Sequence, residues 1–205
     1  GVNRLYNVVS QDFLYQDVNR NVIFLDNHDM SRVLSMVGGD ITKYKSAMAM
    51  LMTMRGIPEM YYGDEILMKG FSNPDGLVRA DFPGGWPGDK ADKFTASGRT
   101  EAENDAFNYV RKLANYRKNT RALQTGKMMD YVPERGVYVY FRYDSKKTVM
   151  VVYNGSDNEQ TIGTERYSER IKGAKKALNV ITGNTVDLSQ LTIPGKATLV
   201  LELID

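Results

Sequence analysis

Apolar positions at Val2, Leu5, Val9 and Phe13 recur at close to helical spacing and predict a helix over residues 2–14. The polar tract 17–21 ends it. Four apolar residues in a row at 22–25 then predict a short strand over 22–26, buried on both faces. Gly38-Gly39 marks a loop, and Asp40 is placed to cap a helix over 41–55 that ends with Gly56 at C′. Within that helix AMAMLMTM also alternates with period two, but alanine, methionine and leucine are helix formers and the run has no β-branched stretch. Its methionines read as core filler. IPEMYY at 57–62 predicts a second strand, so strand, helix and strand make a βαβ unit with a parallel pair.

Residues 66–100 carry no periodicity and are rich in Gly, Pro and Asp; so long a loop in a compact domain is usually functional or disordered. Thr100-Glu101-Ala102-Glu103 is a capping box opening a helix to about Asn119, with Ala102, Ala106, Tyr109, Val110 and Leu113 on one face. From Met128 the pattern turns to β: 137–143 and 148–153 form a hairpin about the turn 144–147, and further strands are expected near 159–163, 178–182, 185–188 and 197–203. Gly183-Asn184 is a turn between two of them, and 165–172 is a short helix. The fold class is therefore α/β followed by all-β, with residues 1–122 in the first part and 123–205 in a small antiparallel β-sandwich.

Composition narrows the chemistry. A net charge of +2, without a run of like charges, gives no nucleic-acid surface, and no apolar stretch is long enough for a membrane span. The absence of cysteine and the single histidine exclude disulfides, thiolate catalysis and Cys- or His-rich metal sites. No dinucleotide, P-loop or nucleophile-elbow motif occurs. What stands out is the polar cluster Asp26, Asn27, His28, Asp29, Ser31 and Arg32 at the end of the first strand, where parallel-barrel enzymes place their chemistry. The only tryptophan, Trp86, lies in a Gly-Pro loop and either stacks on a sugar ring or pins the loop, pinning being the plainer reading. Asp64 and Glu65 stand between function and simple hydrogen bonding at the strand end. Asn154-Gly155-Ser156 is formally a glycosylation sequon but is more simply a turn.

Phe24-Leu25-Asp26-Asn27-His28-Asp29 resembles the motif at the end of barrel strand seven in the α-amylase family of glycoside hydrolases, and Gly56-Ile57-Pro58-Glu59-Met60-Tyr61-Tyr62-Gly63-Asp64-Glu65 resembles its strand-eight motif. The loop Arg79-Ala80-Asp81-Phe82-Pro83-Gly84-Gly85-Trp86 further resembles the neopullulanase and cyclomaltodextrinase branch, especially Bacteroidetes starch-utilisation enzymes. The resemblance implies that residues 1–122 are the last two βα units of a TIM (β/α)8 barrel and that 123–205 are the family's domain C. It implies hydrolysis of α-1,4-glucosidic bonds in maltooligosaccharides, cyclodextrins or pullulan. Asp29 would stabilise the transition state, His28, Asn27, Arg32 and Trp86 would bind substrate, and Asp26 would support them.

The family's nucleophile and acid/base motifs, on strands four and five, are not in these residues. The chain is therefore expected to be a C-terminal portion of a larger enzyme, inactive alone, weak in glucan affinity and prone to self-association through exposed barrel strands. The alternative is a non-catalytic glucan-binding or interaction module, kept open by Tyr138, Tyr140, Tyr143 and Tyr153. No cofactor is expected. Calcium is common in the wider family, but no dense acidic loop specifies a site. The resemblance places the protein in the periplasm, with the cytoplasm as the alternative.

Overall fold

The computed structural model describes residues 1–204. Helix α1 (Val2–Val9) is followed by a 3-10 turn at Asp12–Leu14, in place of one continuous helix to residue 14. Strand β1 is only Val22–Ile23, and it pairs in parallel with β2 (Ile57–Pro58), Val22 opposite Ile57. The two flanking bonds, Ile57 N–H to the Asn21 carbonyl and Glu59 N–H to the Ile23 carbonyl, are both 2.8 Å. The expectation of longer strands buried on both faces is corrected. Val22, Phe24 and Ile57 are 53%, 44% and 53% exposed, because a pair of strands covers neither of its own faces.

The helices α2 (Val33–Met36) and α3 (Ile41–Thr53) connect the two strands. Asp40 caps α3 as expected, accepting from the Thr42 and Lys43 amides. Gly56 is not its C′ residue: the helix ends at Thr53 with Met54 as its C-cap, and Gly56 lies beyond with φ +102°. There a Cβ would stand 2.7 Å from the Asn21 carbonyl, so glycine permits the close approach of β2 to β1. Met48 and Met52 are core, as their composition implied. Helix α4 (Glu101–Lys118) opens with both bonds of the capping box and buries Ala106, Val110 and Leu113. A short α5 (Arg121–Gln124) leads into the sheet.

That sheet has six strands in the order β3-β4-β5-β10-β7-β8, from β3 (Lys127–Glu134), β4 (Val137–Tyr143), β5 (Thr148–Asn154), β7 (Lys176–Asn179), β8 (Thr185–Asp187) and β10 (Thr198–Ile204). The pair β6 (Gln160–Gly163) and β9 (Gln190–Ile193) packs over one face, with α6 (Ser168–Ile171) beside it. Strand β4 shows the construction. Val137, Val139 and Phe141 face β6 and β9, while Tyr138 and Tyr140 face α3 and α4. Tyr138 and Tyr140 are thus fully buried, and both hydroxyls are bonded inside, to Asp130 and Thr53. They offer no platform to a sugar. Asn154 is also buried, donating to the carbonyls of Asn158, Ile193 and Pro194, which removes it as a glycosylation acceptor in the folded chain.

Two buried arginines join the βαβ portion to the sheet. Arg117 of α4 donates to the carbonyls of Met52, Met54 and Gly56, and Arg142 of β4 donates to those of Thr53 and Gly126. Replacing Arg117 with alanine leaves three buried carbonyls without donors. Urea unfolding should report a loss on the order of 3 kcal/mol, against under about 0.5 kcal/mol for Arg111→Ala on the exposed face of the same helix.

Candidate functional site

The chain leaves β1 through Phe24 and Leu25 and turns sharply at residues 27–30. Asn27 builds this turn twice over: its side-chain oxygen accepts from the Asp29 amide at 2.9 Å, and its carbonyl accepts from the Met30 amide at 3.3 Å. The turn holds the His28 and Asp29 side chains outward, 62% and 65% exposed, with His28 Nε2 3.3 Å from Asp29 Oδ2. Arg79 closes the group from the long segment after β2. Its guanidinium donates to Asp29 Oδ1 at 2.9 Å and to the His28 carbonyl at 3.0 Å, and it lies 3.7 Å from Asp75. An exposed pair of this kind contributes about 1 kcal/mol or less to stability. Its effect is to fix where the Asp29 carboxylate points.

Beneath the turn lies a dry layer. Asp26, Arg32 and Asp64 are all buried. Asp26 Oδ2 accepts from the Val33 amide and so serves the first turn of α2. Arg32 Nη1 donates to the Tyr62 carbonyl and stands 3.7 Å from Asp64 Oδ1, and its guanidinium lies over the Tyr61 and Tyr62 rings at 4.1 and 4.8 Å. Arg32 is 0% exposed, which corrects its assignment as a substrate contact: it supports the site from below. Burial, then the Asp26 charge and hydrogen bond, push the Asp64 carboxyl up to about 8, while Arg32 pulls the other way. Glu65 makes the plain rim bond, accepting from the Gly63 amide at 2.8 Å.

The segment after β2 is folded back over this region. Gly70 accepts from the Arg32 amide and donates to Ser35 Oγ, both at 2.9 Å, Ser72 donates to Ser31 Oγ at 3.0 Å, and the Tyr62 hydroxyl donates to the Ala80 carbonyl at 2.8 Å. Further along, Asp89 Oδ2 accepts from the Gly84 and Trp86 amides at 2.7 and 3.0 Å. These bonds, that of Gly84 foremost, hold the Asp89 carboxyl below its usual range. Trp86 itself is 64% exposed, so the loop is pinned by Asp89 and the indole is left facing solvent, against the plainer reading of the sequence. Asn27, His28, Asp29 and Arg79 thus form one bonded group, and Trp86 belongs to a second. Sequence reasoning missed Arg79 as a partner of Asp29, since fifty residues separate them. Among the described residues, no three or more His, Cys, Asp or Glu side chains converge as a metal-binding set.

Two measurements check this geometry. Arg79→Ala should speed amide exchange at Asp29 and in the 70–80 segment while changing global stability by less than about 1 kcal/mol. A depressed carboxyl stabilises above its ordinary value and loses that contribution as pH falls through the lowered one. Emission from Trp86, the sole tryptophan, should therefore stay constant in weak acid and shift only below about pH 3.9. Asp89→Ala should show the shifted emission already at neutral pH.

Comparison with known proteins agrees with this architecture. Residues 2–82 match the alpha amylase catalytic domain family, and residues 128–202 match the cyclo-malto-dextrinase C-terminal domain family. A cyclomaltodextrin glucanotransferase of Geobacillus stearothermophilus is 29% identical over 182 residues, covering 85% of this chain and 22% of that protein. An α-amylase of Niallia circulans is 34% identical over 140 residues, covering 68% of this chain and 23% of that protein. The solved structure of CldA, a cyclomaltodextrin glucanotransferase with a three-domain ABC distribution, superposes with a TM-score of 0.77 at 26% identity, over 100% of this chain and 41% of that one. The chain thus spans less than a quarter of the length of the two curated relatives. With its parallel strand pair and its antiparallel sheet each matched in turn, the chain belongs to the α-amylase family, as the end of the catalytic domain and the C-terminal domain that follows it.

Proposed function

We propose that this chain forms one wall of the cleft of an enzyme that cleaves α-1,4-glucosidic bonds by retaining double displacement, with Asp29 as the carboxylate that stabilises the transition state. The observation that carries this reading is the His28–Asp29 pair, held outward on the Asn27 turn at the C-terminal end of a parallel strand and oriented by Arg79. As the sugar ring flattens toward an oxocarbenium ion, its positive charge and its hydroxyl hydrogen bonds both favour a fixed carboxylate beside it. Asp29 accepts from ring hydroxyls, and the His28 imidazole shares them. The nucleophile and the acid/base come from barrel strands other than β1 and β2. Those strands pack on the face of β1 where Val22 and Phe24 are exposed; beside it lies a shallow apolar cavity of about 240 Å³ lined by Leu5, Val8, Ile23, Phe24, Met50 and Met54. Alone, the chain has no turnover, binds glucan weakly and self-associates through that face.

The substrate class is maltooligosaccharides, cyclodextrins or pullulan. Cyclodextrins are favoured by the glucanotransferase relatives, and pullulan by the loop that carries Trp86. The exposed indole also favours a second reading, a glucan-binding surface without chemistry.

Kinetics of the enzyme with its whole barrel separate the two. Asp29→Asn should lower kcat by roughly 10³-fold or more with KM little changed, and Trp86→Ala should raise KM with kcat nearly intact. Glucan binding that vanishes in Trp86→Ala and is indifferent to Asp29→Asn, with no turnover in either protein, would establish the binding surface instead.

A further inference from the structure

Two carboxylates lie buried behind the His28–Asp29 turn, and the catalytic reading uses neither. Asp26 and Asp64 are 1% and 2% exposed, Asp26 in the segment that follows β1 and Asp64 opening the 3-10 turn Asp64–Ile66 in the segment that follows β2. Arg32 is the cation beside Asp64, its Nη1 3.7 Å from Asp64 Oδ1. Asp26 Oδ2 has a donor in the Val33 amide, but Asp26 Oδ1 and Asp64 Oδ1 are both buried with none. The two side chains are nonetheless within hydrogen-bonding reach of each other. Two ionised carboxylates in contact in a dry site repel, and neither bare oxygen can satisfy the other. One proton between them turns a repulsion into a charge-assisted hydrogen bond and leaves a single negative charge opposite the single guanidinium.

We propose that Asp26 and Asp64 share one proton, and that this acid–carboxylate bridge positions the His28–Asp29 turn by tying the segment that follows β1 to the 3-10 turn that follows β2. The surroundings are consistent with it. Glu65, on the same turn as Asp64, adds negative charge. Tyr44 of α3 donates its hydroxyl to the Asp64 carbonyl, and Tyr61 and Tyr62 cover Arg32. The sign of the pH dependence follows from the raised value of about 8. The folded chain keeps a proton that the unfolded chain releases near the ordinary carboxylate range. The bridge therefore contributes fully below that range, and its contribution falls as pH rises to about 8. Above that, two buried charges face one guanidinium and the two segments part. The shared proton stands independently of the glycosidase reading; only its bearing on catalysis rests on that reading.

Infrared spectroscopy of the chain tests it directly, because near neutral pH no ordinary carboxyl remains protonated. The carbonyl stretch of a protonated acid should be present at neutral pH, disappear in alkali, and be absent from both Asp64→Asn and Asp26→Asn, whose amide N–H replaces the shared proton. The unfolding midpoint of the parent should fall between weakly acidic and alkaline pH, while those of the two variants stay level. His28, as the only histidine, gives an unambiguous imidazole resonance, and its chemical shift should move together with the loss of the infrared band in the parent but not in Asp64→Asn. A neutral-pH spectrum without the band, or one that keeps it in both variants, would overturn the shared proton. A His28 signal indifferent to the loss of the band would overturn the positioning role. Neither result depends on turnover, so failure here is distinct from failure of Asp29→Asn to affect catalysis.

Discussion

The carbonyl end of α3 is where the two parts of the chain are locked together. The helix has no basic residue in its last turn, so its terminal carbonyls and the negative end of its dipole need cations from elsewhere. Arg117 and Arg142 supply them, one from α4 and one from the second strand of the sheet. Burial lowers the pKa of both, Arg142 to about 10 with the neighbouring Arg117 charge adding to the effect, and both stay ionised at neutral pH. Because Arg117 also reaches the Gly56 carbonyl, the position of β2 is set from α4, and the position of α3 is set from the sheet. The C-terminal domain is thereby a brace for the strand ends that carry the chemistry. The side chains of β4 show the same coupling, since its tyrosines complete the core under α3 and α4 while its valines fill the sandwich behind.

What the sequence revealed was what is local. The Asp40 cap, the Thr100 capping box and the 144–147 hairpin are each decided by a few neighbouring residues, and each forms as expected. The short strands of the parallel pair were not legible. Strand length depends on what lies alongside, and β1 and β2 have only each other beyond the 22–23 and 57–58 ladder. Strand β9 escaped for a related reason. QLTI is too short to show an alternation by itself and becomes a strand because β6 pairs with it, Ile162 opposite Leu191. Strand β3, KMMDYVPE, carries a proline and a register irregularity near it, which blur its period.

The site divides along the same line. Asn27, His28 and Asp29 are contiguous, and the turn that presents them is made by their own backbone, so they could be read. Arg32 follows three residues later and reads as one more exposed cation; only the tyrosines after β2 and Asp64 reveal that it points inward. Arg79 has no sequence neighbour that announces it, and the loop at 84–89 hides the fact that a carboxylate, not the aromatic ring, holds it in shape. Two layers result. The outer one is exposed to solvent and held by surface ion pairs, and the inner one is buried and fixed by charges shielded from solvent.

The bond between Arg79 and Asp29 makes the outer layer self-occupied. Its carboxylate is already partnered: a guanidinium satisfies one oxygen and the imidazole lies beside the other. A hydroxyl arriving there does not fill a vacancy but displaces or joins a charged tenant, so entry is a trade of partners whose balance depends on how firmly the tenant holds. Both side chains are open to solvent, and counter-ions weaken that hold. Ionic strength therefore acts as a dial on the receptiveness of this corner of the surface, while the dry layer beneath is indifferent to it.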